Sequence, residues 1–160
     1  MNKILKLITE DESLSPDQIG EILGMNKNDV EKELIKLKDD NILLGWRPIL
    51  NQEALGQEFV RAVIEVKISP EREDGFDRVS KRISQFNEVE SCYLMSGGYD
   101  LLVVVKGNTL HKVAAFVSEK LATLSGVLST GTHFLLRAYK EQGYYLGDKR
   151  QGSDKPAITP

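Results

Sequence analysis

One cysteine, Cys92, in 160 residues excludes an internal disulfide framework. The two histidines, His111 and His133, stand far apart, so with a single thiol there is no zinc-type ligand set and no metal is expected. Long apolar runs are missing as well: Leu101 to Val105 is far short of the ~20 residues that cross a bilayer. The opening segment, MNKILKLITEDESLSP, holds neither an apolar stretch of signal-peptide length nor a small-residue cleavage site, and is not expected to direct export. These absences point to a reducing, cytoplasmic setting with no membrane partner. Excess positive charge is also lacking. The formal net charge of −3 argues against a protein that simply coats nucleic acid. The deficit is local, because residues 1–50 hold 7 Lys/Arg against 10 Asp/Glu while the remaining 110 balance at 14 against 14.

What is present is ordinary globular material, 41% hydrophobic and 28% charged, enough for one domain or two small ones. Ile4, Leu5 and Ile8 give one apolar face to a first helix. Ser15-Pro16 reads as a serine N-cap with proline at the first helical position, starting a helix of about three turns that carries Ile19, Ile22 and Leu23. Gly24 closes it as a left-handed C-cap. Asn26 caps a third helix with Val30, Leu34 and Leu37 at i, i+4 and i+7. ILLGWRPIL then reads as a short strand-turn-strand, with Trp46 packing that wing onto the domain or a partner subunit. Together these make residues 1–50 a winged helix-turn-helix. The same pattern fits a plain three-helix bundle.

A polar connector, 51–58, separates this from a second pattern. Ala62, Ile64, Val66 and Ile68 alternate with Arg61, Val63, Glu65 and Lys67, as in a half-buried strand. Residues 73–86 return to helical spacing with Phe76, Val79, Ile83 and Phe86. Strands at Val89–Ser96 and Leu101–Lys106 flank a turn at Gly97-Gly98. A helix from Thr109 to Leu124 turns Leu110, Val113, Phe116, Val117 and Leu121 inwards, and a last strand runs from Val127 to Tyr139. The order β-α-β-β-α-β over 59–142 specifies a ferredoxin-like domain, so the fold class is α+β. The Gly-, Pro- and charge-rich tail, 143–160, is expected to be mobile.

The run VESCYLMSGGYDLLVVV ends one strand at a Gly-x-x-Asp turn and re-enters an apolar strand, and GVLSTGTHFLL opens the last strand with two threonines. With the helix-turn-helix ahead of them, these motifs resemble the Lrp/AsnC (feast/famine) family of transcription regulators over residues 3 to about 142. Ser125 stands where that family usually has proline. The resemblance implies homodimers formed through the sheet of the second domain, assembling into tetramers or octamers, with no cofactor. It also implies a small effector, most often an amino acid, held at Gly97, Gly98, Tyr99 and Asp100 together with Thr130 and Thr132. The chemistry is suitable: bare glycine N–H groups suit a carboxylate, and an aspartate suits an ammonium. Turn and strand chemistry explain the same residues without a ligand. Asp100→Ala is expected to weaken effector binding and leave the fold intact, because the residue sits at a turn.

For double-stranded DNA the expected contacts are Asn26, Lys27, Asn28 and Lys32 at base edges. Lys36 and Arg47 are placed for phosphates, with Ser15 and Gln18 clamping the backbone. Asp29, Glu31 and Glu33 share that helix, which leaves open a metabolite-binding module without DNA affinity. No nucleophile–base pair is evident and no catalytic residue is assigned. The sirohaem decarboxylases resemble this two-domain plan, and in that reading His111, His133 and Arg137 would surround a tetrapyrrole.

Overall fold

The computed structural model describes residues 2–56, 59–69 and 76–147. The chain divides into two compact units, Met1–Pro48 and Ile49–Pro160.

In the first unit, helices α1 (Lys3–Glu10), α2 (Pro16–Leu23) and α3 (Lys27–Asp39) enclose a core of Ile4, Ile8, Ile19 and Val30. Every start signal operates. The Asn2 side chain accepts from the Ile4 N–H and donates to Glu33 Oε1 at 2.6 Å, pinning α1 to α3. Ser15 and Gln18 form a reciprocal capping box, and Asn26 Oδ1 accepts from the Asp29 N–H. Helix α2 starts and stops where expected, but its 8 residues between Ser15 and Gly24 (φ 65°) make about two turns rather than three. The turn is compressed at Gly20, where an added Cβ would stand 2.6 Å from the carbonyl oxygen of Met25. Ile22, expected inside, is exposed.

The wing is not formed: residues 43–50 adopt no strand. A two-stranded ribbon is marginal without a third strand or a covering helix, and Pro48 removes a ladder donor. Trp46 is 52% exposed and Leu44 87%, so Trp46 does not fasten this segment to the core. The connector is more ordered than its composition suggests, since Asn51 caps a one-turn helix, α4 (Gln52–Leu55), ending at Gly56.

The second unit is one antiparallel sheet, β1 (Val60–Ile68), β2 (Val89–Leu94), β3 (Leu101–Gly107) and β4 (Val127–Phe134), in the spatial order β2-β3-β1-β4. Helices α5 (Asp77–Ser84) and α6 (Leu110–Ala115, continuing as a π-helical segment to Leu121) pack on one face. The alternation in β1 holds throughout: Ala62, Ile64, Val66 and Ile68 are buried with Leu101, Val103 and Val105 against Val79, Ile83, Val113, Phe116 and Leu121. The register places Thr130 and Thr132 opposite Val66 and Ile64, on this helix-facing side, and His133 opposite Val63 on the other. Leu110 is exposed rather than inward, because Thr109 is the N-cap and Leu110 opens the first turn beyond the core.

Strand β4 stops at Phe134, five residues before the expected end. The chain then forms a small hairpin of β5 (Lys140–Glu141) and β6 (Tyr144–Tyr145), turning at Gln142-Gly143, so that β6 is ordered within the 143–160 stretch expected to be mobile. The tail from 148 onward and the expected helical residues 73–75 lie outside the described residues.

Lys120 Nζ lies 2.6 Å from Glu88 Oε1 and 5.9 Å from the ring centroids of Phe86 and Phe116. The hydrogen bond from Lys120 holds the Glu88 carboxyl below its usual range, outweighing the opposing effect of burial. A lowered folded pKa contributes stability above the unfolded value of about 4.3, lost as pH falls through the folded one. Lys120→Met is therefore expected to cost about 0.5 kcal/mol at pH 7 and less at pH 3, as read by urea titration at both pH values. An equal cost at both would assign the effect to packing of the lysine stem.

Candidate functional site

The first unit presents α3 with its core face at Val30, Leu34 and Leu37. At 3.6 residues per turn, the opposite side carries Asn28, Lys32, Ile35 and Lys36, all exposed, with Asp39 at the far end. Asp29, Glu31 and Glu33, which share the helix, lie on its flanks. Asp29 accepts from the Asn26 side chain, and Glu33 accepts from Asn2. Asp17, on α2, holds Lys27 Nζ at 2.8 Å and raises its pKa. The acidic composition of this helix therefore does not describe its outward stripe, which has two lysines and one terminal aspartate.

Of the expected DNA contacts, the structure leaves Asn28, Lys32 and Lys36 together on that stripe. Ser15 and Gln18 are engaged with each other, Asn26 with the first turn of α3, and Lys27 with Asp17. Arg47 lies in the irregular segment, exposed and with an interaction of its own. In this structure Ser15, Gln18 and Asn26 serve as helix caps. Ile35, exposed on the same stripe, is not among the positions that the apolar spacing of this helix singles out.

In the second unit the turn expected between Ser96 and Leu101 is a six-residue loop, Met95–Asp100, closed by the Met95 N–H donating to the Asp100 carbonyl at 2.8 Å. Gly97 takes φ 149°, which explains one glycine; a Cβ on Gly98 would meet nothing within 4 Å. Asp100 is tied into the sheet. Its N–H donates to the Val66 carbonyl at 3.0 Å, and its Oδ2 accepts from the Ile68 N–H at 2.8 Å. The carboxylate thus continues the β1–β3 ladder past the last backbone pair, Val66 with Leu101. Val66 also pairs with Thr130 in β4, so the Asp100 end of the loop and Thr130 stand about two strand spacings, roughly 10 Å, apart. Thr132 lies two residues farther along the edge strand, and Tyr99 is half-buried beside Asp100.

A charged cluster on the other sheet face was not foreseen. The Glu90 carboxylate, 10% exposed, sits at a bulge in β2 with Arg61 Nε at 3.1 Å and Lys106 Nζ at 3.4 Å. Arg61 Nη1 reaches Glu141 at 3.1 Å, joining the terminal hairpin to the sheet. No short-range sequence signal brings these four residues together, since the bulge creates the site.

The residues of the tetrapyrrole reading are not gathered. His111 is exposed in α6, on the helical side, whereas His133 is on the opposite sheet face, 3.5 Å from Glu65. Arg137 lies against Glu53 and over the Tyr139 ring. Cys92 is half-buried against the core, where burial raises its thiol pKa. Among the described residues no three His, Cys, Asp or Glu side chains cluster as metal ligands, and no helix is long and apolar enough to cross a membrane.

Residues 61–145, the sheet, its helices and the terminal hairpin, match the Lrp/AsnC ligand binding domain. The chain belongs to the Lrp/AsnC family of transcription regulators. Similarity extends through the helix-turn-helix. YugG of Bacillus subtilis, described as an uncharacterized HTH-type transcriptional regulator, is 42% identical over 142 residues, covering 88% of this chain and 86% of its own length. The proline dehydrogenase transcriptional activator of Rhizobium radiobacter is 31% identical over 141 residues, covering 88% and 90%. Among solved structures, the leucine response regulatory protein of Mycobacterium tuberculosis superposes with a TM-score of 0.71 at 17% identity, covering 91% of this chain and 96% of that one. A transcriptional regulator of Neisseria meningitidis in complex with L-Met gives 0.63 at 23%, covering 87% and 89%. At those identities the structural likeness establishes the Lrp/AsnC fold.

Proposed function

We propose that this Lrp/AsnC member is a cytoplasmic, non-enzymatic regulator that binds double-stranded DNA through α3 and responds to an amino acid or similar small effector. The observation that carries the reading is the outward stripe of α3, where Asn28, Lys32 and Lys36 stand together while Asp29 and Glu33 on its flanks are engaged by Asn26 and Asn2. Asn suits an adenine edge and Lys a guanine edge or a phosphate. The second unit serves as the effector-binding and oligomerisation domain. Gly97, Gly98 and Tyr99 form one wall of the effector site, Thr130 and Thr132 lie across β1 from it, and Asp100 fixes the loop. Homodimers assemble into tetramers or octamers, so that several weak heads act on one DNA molecule with a raised effective concentration. An effector favouring one assembly changes DNA affinity, and by linkage DNA changes effector affinity equally.

A second reading, a metabolite-binding module without DNA affinity, draws on the engagement of Ser15, Gln18, Asn26 and Lys27 in caps and an ion pair. Gel-shift titration on the DNA upstream of the protein's own gene separates the two. The expected result, at low and moderate salt, is a sequence-preferring shift that weakens with salt and changes when the twenty amino acids are added. No shift at either salt, from folded and oligomeric protein, selects the second reading.

A further inference from the structure

Resting on the DNA-binding reading, we infer that Ile35 is a specificity-determining residue that contacts the 5-methyl group of a thymine in the major groove. Helix α3 turns Val30, Leu34 and Leu37 inwards. Ile35 lies instead on the opposite side, 59% exposed, seven residues from Asn28 and three from Lys32, along one stripe. Exposed helix positions are normally filled by charged or small residues, and a β-branched residue there is also slightly unfavourable for the helix. An isolated exposed isoleucine carries no meaning by itself. Its neighbours supply one. Asn28 and Lys32 precede it on the stripe, Lys36 adjoins it, and two acids of the helix, Asp29 and Glu33, are held on its flanks by Asn26 and Asn2.

That arrangement is complementary to a duplex groove: cations towards phosphates, an amide towards base edges, and one apolar group among them. The major groove offers one apolar feature, the thymine methyl, and side chains such as alanine, the threonine methyl and phenylalanine contact it. An isoleucine aimed there discriminates thymine from cytosine without a hydrogen bond. Lys36, aimed at phosphate, contributes affinity without sequence preference.

The test uses the full chain. A preferred site is first selected from a random duplex pool, and each thymine in it is then replaced by uracil, which removes the methyl group and leaves the pairing edge unchanged. At one thymine per half-site, uracil is expected to weaken wild-type binding about three- to ten-fold. Ile35→Ala is expected to weaken binding to the thymine site by a similar factor, to become indifferent to uracil there, and to relax the selected preference at that position. Lys36→Ala should instead weaken all sequences alike and lower the salt slope by about one. Because Ile35 is exposed, the alanine variant should melt with the wild type. If uracil costs the same in wild type and variant, or costs nothing in wild type, the thymine contact is overturned while DNA binding stands. If the wild type selects no sequence at all, both the contact and the reading beneath it fall.

Discussion

Replacing Gly20 with alanine is expected to destabilise the first unit by about 2 kcal/mol, although helix propensity alone forecasts a gain of about 1 kcal/mol. The two accounts differ in sign, which makes the measurement decisive. A Cβ at this position would stand 2.6 Å from the Met25 carbonyl oxygen, a backbone atom that cannot swing aside as a side chain can. The same turn is fastened by the Met25 N–H donating to the Gly20 carbonyl at 2.9 Å and by the left-handed Gly24. Relieving the collision means moving α3 relative to α2, and overpacking of this kind costs about 1–3 kcal/mol, to which part of a turn hydrogen bond is added. A unit of fewer than fifty residues has little stability to lose, so a fall of roughly 10 °C in melting temperature is expected. Trp46 belongs to this unit, and its fluorescence together with helical circular dichroism follows the transition. DNA affinity should fall with the fraction of folded heads, while the sheet unit keeps its own melting. A melting temperature at or above the wild type would show that the turn can absorb the methyl group.

Gly20 also marks where sequence reading stops. Local chemistry was legible: Ser15-Pro16, Gly24 and Asn26 act as the start and stop signals they resemble, and period-two alternation located β1 to within one residue. Those rules concern contacts within a few positions of the chain. Gly20 reads as a weak helix residue until the following turn is folded back on it. The six-residue loop at Met95–Asp100 and the early end of β4 depend in the same way on cross-strand pairing, which a hydrophobic pattern does not encode. Ile22 and Leu110 kept helical periodicity yet lie outside, because periodicity defines a face and not its width. The outward stripe of α3 was legible in part. Position at the start of the helix picked out Asn28 and Lys32, and charge picked out Lys36, whereas the tally of charges along the helix obscured that Asp29 and Glu33 are held on its flanks.

Asp100 gives the second large effect and reverses an expectation based on its place in a turn. Asp100→Ala is expected to cost about 1–3 kcal/mol in the sheet unit, because the Ile68 N–H loses its acceptor at a residue only 2% exposed. The same change should loosen the loop that carries Gly97, Gly98 and Tyr99, so a fall in effector affinity in this variant alone would not identify a ligand contact. Asp100→Asn separates the two roles. Its amide oxygen can still accept from Ile68, so most of the melting temperature should return, with a residual loss below about 1 kcal/mol. An ammonium held by the carboxylate depends on charge and should bind at least ten-fold more weakly to the asparagine variant. Recovery of stability without recovery of affinity would place the effector's ammonium at Asp100. Recovery of both would make Asp100 a strap for β1 and move recognition to the loop backbone and the threonines of β4. An alanine variant that melts with the wild type would show that water replaces the carboxylate at Ile68, and that the sheet does not depend on it.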